Sequence, residues 1–415
     1  MKYFVHKFGG ASVSTSDLIR NAASIFANHI SPKSLVVVSA IGKTTNKLEK
    51  VTQAIYSKGD YLAILDEVRT QHFAIVNDLF EDPTPILDSV NDILAEVDWI
   101  ADEENSHYDY VYDQVVGIGE LLSSLILSQY LSLTQSVTYL DVRDCLVTDQ
   151  TYRDAIVDWT LTQTRIESLV KPKFESSDYI VTQGYIGVDD ENNTTTLGRE
   201  GSDYTASIFG KCLGAESVTV WKDVPGILSA DPKQFEFAEM LPALSYDSLY
   251  TLADAGAKVI HPKTILPLKS AGIPLQVKSF NAPSDKGTLI SADTVSQNLP
   301  SVVCKDDQLL ITLSPSQFDD EWDIATIVKL FKQENWDINY FQKNALKYVI
   351  CVRYDYSLMY LIDRLKEKFD VTTTRDVRLI TIINTDDAIE AKLVGQDEVL
   401  LMQRSERTYK AVLRS

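Results

Sequence analysis

Residues 3–13 read Tyr3-Phe4-Val5-His6-Lys7-Phe8-Gly9-Gly10-Ala11-Ser12-Val13, and residues 34–40 read Ser34-Leu35-Val36-Val37-Val38-Ser39-Ala40. The first stretch is a strand, Tyr3 to Phe8, stopped by a glycine pair. The second is a continuous apolar, β-branched run ending in small polar residues, as in a strand buried on both faces of a parallel sheet. Between them an amphipathic pattern predicts a helix from about Ser16 to Ile30, with Asp17 or the stretch Ser14 to Ser16 at its N-cap. Strand, helix, strand in this order opens a doubly wound α/β domain.

The same rhythm continues outward. Leu, Ile and Val at spacings of three and four predict helix from Thr45 to about Tyr130, broken at Pro83 and Pro85. Strands are expected at Val137–Asp141, Tyr179–Gln183, Ser217–Trp221, Leu275–Ser279 and Thr288–Ile290. Composition then changes: 16 of the 17 glycines lie at or before Gly287, and no proline follows Pro315. Beyond residue 300 the pattern reads strand Leu309–Leu313, helix Ile324–Glu334, strands Ile338–Gln342 and Tyr348–Tyr354, helix Leu358–Phe369 and strand Val377–Ile383. That βαββαβ order is the ferredoxin-like unit. A turn near Ala388–Val394 and strands Glu398–Arg404 and Thr408–Leu413 complete it as a second, reduced unit. Two domains are expected, residues 1–295 and 300–415.

Composition narrows the function. The 415 residues carry 39 Lys and Arg against 59 Asp and Glu, a formal charge of −20. So acidic a chain argues against nucleic acid or an anionic membrane as partner. An anionic ligand would need a few cations gathered in one pocket. Cys145, Cys212, Cys304 and Cys351 are scattered, as buried free thiols would be, and the five histidines show no zinc spacing. The opening MKYFVHKFGG runs into a strand without a charged-then-apolar leader. No apolar run approaches the ~20 residues that span a bilayer. A cytoplasmic protein is expected.

Four segments carry residues suited to chemistry. In Lys7-Phe8-Gly9-Gly10-Ala11-Ser12 a strand-end glycine pair lets backbone N–H groups approach an anion, and the next helix adds positive dipole. The same pair suits any tight turn, and neither a Walker loop nor GxGxxG is present. The segment Thr196-Leu197-Gly198-Arg199-Glu200-Gly201-Ser202-Asp203-Tyr204-Thr205-Ala206 sets a guanidinium fork before a helix start; a capped helix with a solvated Arg reads the same way. Trp221-Lys222-Asp223-Val224-Pro225-Gly226-Ile227, followed by Ala230-Asp231-Pro232-Lys233, suits a loop over a nucleotide and equally an ordinary surface loop. In Gly256-Ala257-Lys258-Val259-Ile260-His261-Pro262, Lys258 also reads as a snorkelling lysine, and His261 as structural.

Taken together and in order, KFGGASV, VVVSA, GIGE, TTTLGREGSDYTA, VWKDVPGILSADP and GAKVIHPKT resemble the signatures of aspartate kinases in the amino-acid kinase family, across residues 1–290. The resemblance implies transfer of the ATP γ-phosphoryl group, with Mg²⁺, to the side-chain carboxylate of L-aspartate. That is the entry step to lysine, threonine, methionine and diaminopimelate. It assigns the phosphates to Lys7 with Gly9 and Gly10. Arg199 takes the aspartate α-carboxylate, beside Thr45 and Ser202, and Glu120 the substrate ammonium. Ser39 faces the same cleft. Asp203 orients Lys7 or the metal shell, and Lys222, Asp223, Lys233, Lys258 and Val259 fall where the family touches ATP. Catalysis is expected of Lys7, Asp203 and Lys258. The chemistry suits such residues: a carboxylate acceptor is already ionised and needs no general base, so the obstacle is repulsion between anions.

The chain departs from the family at Ala11, Glu200, Lys222 and Leu228, where Thr, Gly, Thr and Tyr are frequent; Glu200 and Lys222 are expected to pair. Alternatives are another amino-acid kinase, acting on glutamate, acetylglutamate, carbamate or UMP, and a catalytically silent amino-acid-binding regulator. A fused homoserine dehydrogenase would need several hundred further residues, so a monofunctional enzyme is expected. Residues 300–415 resemble the ACT regions that regulate aspartate kinases. Their effector turn would be Pro315-Ser316-Gln317-Phe318-Asp319-Asp320-Glu321-Trp322, with no glycine and three acids. A homodimer, or higher homo-oligomer, with weak or absent lysine inhibition is the expectation.

Overall fold

Ser34–Val38 is buried at all five positions, and what surrounds it is the doubly wound sheet its composition requires. The computed structural model describes residues 1–103, 107–257, 259–294, 299–315, 324–334, 336–344, 347–405 and 407–414. Contacts divide the chain into two units. The first comprises Met1–Ile227, Met240–Tyr250 and Val259–Ser296; the second comprises Leu228–Glu239, Thr251–Lys258 and Gln297–Ser415. Two short segments before residue 295 thus belong with the second unit.

The first unit begins with β1 (Phe4–Phe8), α1 (Ser16–His29) and β2 (Ser34–Val38). Thr15 caps α1 by accepting from Leu18 N at 3.3 Å. Four helices follow, α2 (Thr44–Tyr56), α3 (Leu62–Leu79), α4 (Thr84–Ala101) and α5 (Tyr108–Ser132), so the helical stretch is interrupted three times rather than once. Then come β3 (Val137–Leu140), α6 (Trp159–Arg165), α7 (Lys173–Ser176), β4 (Tyr179–Gln183), β5 (Ile186–Val188), β6 (Thr194–Thr196), α8 (Gly201–Leu213), β7 (Ser217–Lys222) and β8 (Ala243–Leu244). After α9 (Tyr246–Ala255), whose residues divide between the units, α10 (Pro262–Ala271), β9 (Leu275–Ser279) and β10 (Thr288–Ile290) complete it.

Eight strands form one sheet in the order β3-β4-β2-β1-β7-β9-β10-β8. Every neighbouring pair is parallel except β9 and β10. Strand order reverses at β1, and Phe8 stands in register with both Val38 and Trp221. The carboxyl ends of β1, β2 and β7 therefore open together at the switch point, where doubly wound sheets bind ligands.

The helix α5 corrects one expectation. By length and composition alone it is apolar enough to cross a membrane, yet most of its apolar stretch is buried within the protein. It is packed against α2, α4, β3 and β4. Its approach depends on two glycines: a Cβ at Gly119 would stand 2.9 Å from Ala40 Cβ, and one at Gly117 would stand 3.1 Å from Ile186 and Thr194. The first contact would force Ala40 or α5 to shift, and the second is tighter than most side-chain contacts.

The second unit holds β11 (Ser301–Pro315), α11 (Ile324–Gln333), β12 (Ile338–Asn344), β13 (Lys347–Arg353), α12 (Leu358–Lys366), β14 (Phe369–Ile383), α13 (Asp387–Val394), β15 (Glu398–Arg404) and β16 (Thr408–Arg414). Its antiparallel sheet runs β12-β13-β11-β14-β16-β15. The first four strands give the ferredoxin-like order, with α11 and α12 contributing Ile327, Phe331, Leu361 and Leu365 to its core.

Three expectations change here. The two central strands are 15 residues long, and their register breaks between Lys305 and Gln308, beside left-handed Asp307 and Asp376. The strand closing the first ferredoxin-like repeat is therefore the half of β14 beginning at Phe369, a residue expected at the end of a helix. Leu379–Ile383 pairs instead with Ser301–Lys305, Val377 with Gln308, and the whole of Val377–Ile383 with β16, in the reduced second repeat. The expected turn at 388–394 is the helix α13, capped by Asp386, which accepts from Ala388 N and Ile389 N. Residues 316–322 of the expected effector turn lie outside the described residues.

Candidate active site

Two lysines converge on one acid at the carboxyl ends of the central strands. Lys7, on β1, places Nζ 2.6 Å from Asp203 Oδ1, and Lys222, ending β7, places Nζ 3.4 Å from Asp203 Oδ2. Asp203 comes from the first turn of α8 and is 2 % exposed. Burial opposes its ionisation, but the two ammonium groups outweigh burial and hold the carboxyl below its ordinary range. Lys222 Nζ also donates to the Val259 carbonyl. The expected pairing of Lys222 with Glu200 does not form, because Asp203 and this carbonyl occupy its ammonium.

The ends of β1 and β2 are locked together above these charges. Gly42 N donates to Gly10 O at 3.0 Å and Ser39 N to Phe8 O at 3.1 Å. A Cβ at Gly10 would collide with the Ala40 carbonyl, so only glycine permits the approach. A 3₁₀ turn, Gly10–Val13, intervenes before α1; the glycine pair does not open the helix directly.

Glu120 is the second notable acid. It is 3 % exposed on α5, its Oε1 accepts from Ala40 N at 3.2 Å, and its Oε2 has no partner. Burial drives its pKa up to about 8, although the Ala40 N–H and the charge of Lys7 favour the ionised form. An acid buried in this state is poised to accept a cation.

A cavity of about 500 Å³ joins these groups. It is lined by Lys7, Gly10, Ser39, Thr45, Glu120, Arg199, Ser202, Asp203 and Lys222, all expected from sequence. Gly9 and Val259 lie beside it without lining it, and exposed Asp223 is also absent from the lining. Lys233 belongs to the second unit and Lys258 lies outside the described residues. His261 caps α10 by accepting from Lys263 N at 3.2 Å.

The lining also includes Glu49, Tyr112, Arg153, Tyr185 and Glu200. Its four basic side chains (Lys7, Arg153, Arg199, Lys222) share the lining with four acidic ones (Glu49, Glu120, Glu200, Asp203), of which Glu120 is held largely neutral by burial. Tyr185 lies just past β4, a signal that was available in the sequence; Arg153 sits in an aperiodic loop and gave none. Asp113, seven residues before Glu120 and on the same face of α5, holds that loop. Its carboxylate accepts from Arg153 N at 2.9 and 3.1 Å, and from Thr196 N and Oγ1 at 2.7 Å each.

A doubly wound sheet with a lysine-bridged acid and an unpartnered buried glutamate at its switch point defines an anion-handling α/β enzyme class. Sequence comparison specifies it further. The profile of the amino acid kinase family matches residues 2–279. The lysine-sensitive aspartokinase 3 of Escherichia coli is 32 % identical over 314 residues, 74 % of this chain and 69 % of that protein. The chloroplastic bifunctional aspartokinase/homoserine dehydrogenase 1 of Zea mays is 33 % identical over 305 residues, covering 71 % of this chain. The chain spans about a third of the length of such bifunctional relatives (33 % for the maize protein). The structure of E. coli aspartokinase III in complex with aspartate and ADP superposes with a TM-score of 0.84 at 25 % identity, covering 100 % of this chain and 96 % of that one. The chain belongs to the amino acid kinase family, on its aspartokinase branch.

Proposed function

We propose that the protein is an aspartate kinase, transferring the γ-phosphoryl group of ATP to the β-carboxylate of L-aspartate to give 4-phospho-L-aspartate and ADP. The observation that carries this reading is the pairing, in one cavity, of the Lys7–Asp203–Lys222 cluster with the unpartnered Glu120. Lys7 and Lys222 are fixed before substrate arrives, so their charge meets the developing negative charge without reorganisation. Glu120 receives the substrate ammonium, Arg199 its α-carboxylate, and Ser39, Thr45 and Ser202 offer hydroxyls. The acceptor carboxylate attacks unaided. Gly9, Asp223, Lys233, Lys258 and Val259 are assigned to ATP by resemblance.

Mg²⁺ fits a site of this kind as a companion of the nucleotide, since this ion keeps phosphate and water ligands and takes few carboxylates from protein. Asp203 is the acid at the phosphate end, although two lysines already engage it. When bound, the ion neutralises phosphate charge. A coupled ADP-release assay with L-aspartate, L-glutamate or no acceptor tests the reading. Aspartate-dependent release is expected, and a flat trace with every acceptor contradicts it.

Arg199 is exposed, at the rim of the cavity. A solvated guanidinium contributes less than a buried one, so Arg199→Ala should raise the aspartate KM by about 10- to 100-fold. Arg199→Lys should recover part of that, having charge without the fork. A KM within twofold of wild type would remove Arg199 from substrate binding.

Residues 1–295 would form the catalytic domain and 300–415 an ACT-type domain serving homodimerisation, in a cytoplasmic enzyme at the head of lysine, threonine and methionine synthesis. Support for dimerisation comes from the sheet edges: β12 and β15 each have one neighbour, and β15 exposes Val399 and Met402. Weak or absent lysine inhibition rests on sequence alone, through the three acids and missing glycine of residues 315–322. A solution mass of twice the 46.5 kDa chain is expected, together with activity insensitive to micromolar lysine at sub-saturating aspartate. A monomeric mass contradicts the first expectation, and strong inhibition the second.

A further inference from the structure

Arg153 has an unusual backbone for an arginine. Its φ is +70°, the left-handed region that glycine enters freely and side chains enter at a cost. Both oxygens of the fully buried Asp113 hold its N–H in that conformation. The side chain, about half exposed, makes contacts of its own. Its guanidinium carbon lies 4.4 Å from the centre of the Tyr112 ring, and Nη1 donates to Asp109 Oδ1 at 3.3 Å. Tyr112 is in turn anchored by donating to Glu49 Oε1 at 2.8 Å. Among the described residues the remaining guanidinium donors meet no acceptor, and the side chain lines the cavity.

The loop also lies against the turn that bears Arg199. A Cβ on Gly198, the residue preceding Arg199, would stand 3.2 Å from the Arg153 carbonyl. Two guanidinium groups are thus mounted on adjoining backbone and face one cavity. One of them is held by a ring face, an acid and a pinned amide before any substrate binds. A ring face and a single oxygen use only part of an arginine's donor set, leaving N–H groups for a carboxylate.

We propose that Arg153 is a second acceptor-binding residue, sharing the α-carboxylate of an amino-dicarboxylate substrate with Arg199. The proposal rests on the aspartate kinase reading and adds to it a residue that sets acceptor affinity. Phosphoryl transfer itself does not involve Arg153, so its loss should be felt in the aspartate KM and not in turnover.

Arg153→Gly separates binding from structure, because glycine relieves the left-handed backbone while removing the guanidinium. The variant should melt at or above the wild-type temperature. Its aspartate KM should rise about tenfold or more, with kcat and the ATP KM within twofold. Arg153→Lys should fall between the two. An aspartate KM within twofold of wild type overturns the proposal, as does an ATP KM that rises equally. If Arg153→Gly failed to fold, Arg153→Gln would supply the same KM comparison with a longer side chain at that position. Wild-type protein releasing no ADP with aspartate would overturn the underlying reading, a result distinct from an active wild type with an indifferent variant.

Discussion

Lys7→Ala is expected to lower kcat for aspartate-dependent ADP release by about 10²- to 10³-fold, the loss typical of a single preorganised charge at a developing anion. Lys7 is only 11 % exposed and lies 2.6 Å from Asp203, so water cannot readily replace it. Lys222 still faces Asp203 in this variant. The acid therefore keeps one counter-charge and the fold should survive. Aspartate KM should change little, because Glu120 and Arg199 remain. A variant retaining most of its turnover would exclude Lys7 from the mechanism.

Glu120→Gln is expected to raise the aspartate KM by about 30- to 1000-fold, since the substrate ammonium would lose a buried ionic partner. The amide has the shape of the acid and is neutral, like the protonated Glu120 of the empty cavity, so folding should be preserved. The pH profile supplies an independent readout. With a pKa near 8, Glu120 is mostly protonated at pH 6.5 and must lose its proton to pair with an ammonium. Wild-type aspartate KM should therefore fall by up to about tenfold per pH unit as pH rises toward 8, and level off above it. In Glu120→Gln that slope should vanish. A wild-type KM independent of pH between 6.5 and 9 would contradict the assignment.

Folding linkage for the same group has a definite sign. An acid whose native pKa is raised costs stability as pH climbs from its ordinary range, near 4.5, to its native value near 8, because the unfolded chain ionises first. Above that range the cost is constant.

Much of this was legible in the sequence because the decisive features are local. The buried run Ser34–Val38 announced a parallel strand, and the glycine pair Gly9–Gly10 marked the turn that ends β1. Lys7, Glu120, Arg199, Ser202, Asp203 and Lys222 came from ordered motifs and share one cavity. What escaped was set by tertiary contact. Arg153 owes its position to Asp113, forty residues earlier, a link no spacing rule reveals. Phe369 looked like a helix end and residues 370–376 carried no strand signal, because that half of β14 is mostly polar; its pairing with β11 decided otherwise. Glu200 and Lys222 looked like partners by charge alone, until the nearer Asp203 carboxylate proved to hold the lysine.

The central claim is that the chain makes an acyl phosphate on the side chain of aspartate. Incubation with ATP, Mg²⁺ and L-aspartate in the presence of hydroxylamine tests it most directly, because hydroxylamine displaces phosphate from an acyl phosphate to leave a stable hydroxamate. The account predicts β-aspartyl hydroxamate in amounts matching the ADP formed, none without ATP, and none when L-glutamate replaces aspartate. ADP release without hydroxamate, or hydroxamate formed from glutamate and not from aspartate, would contradict it.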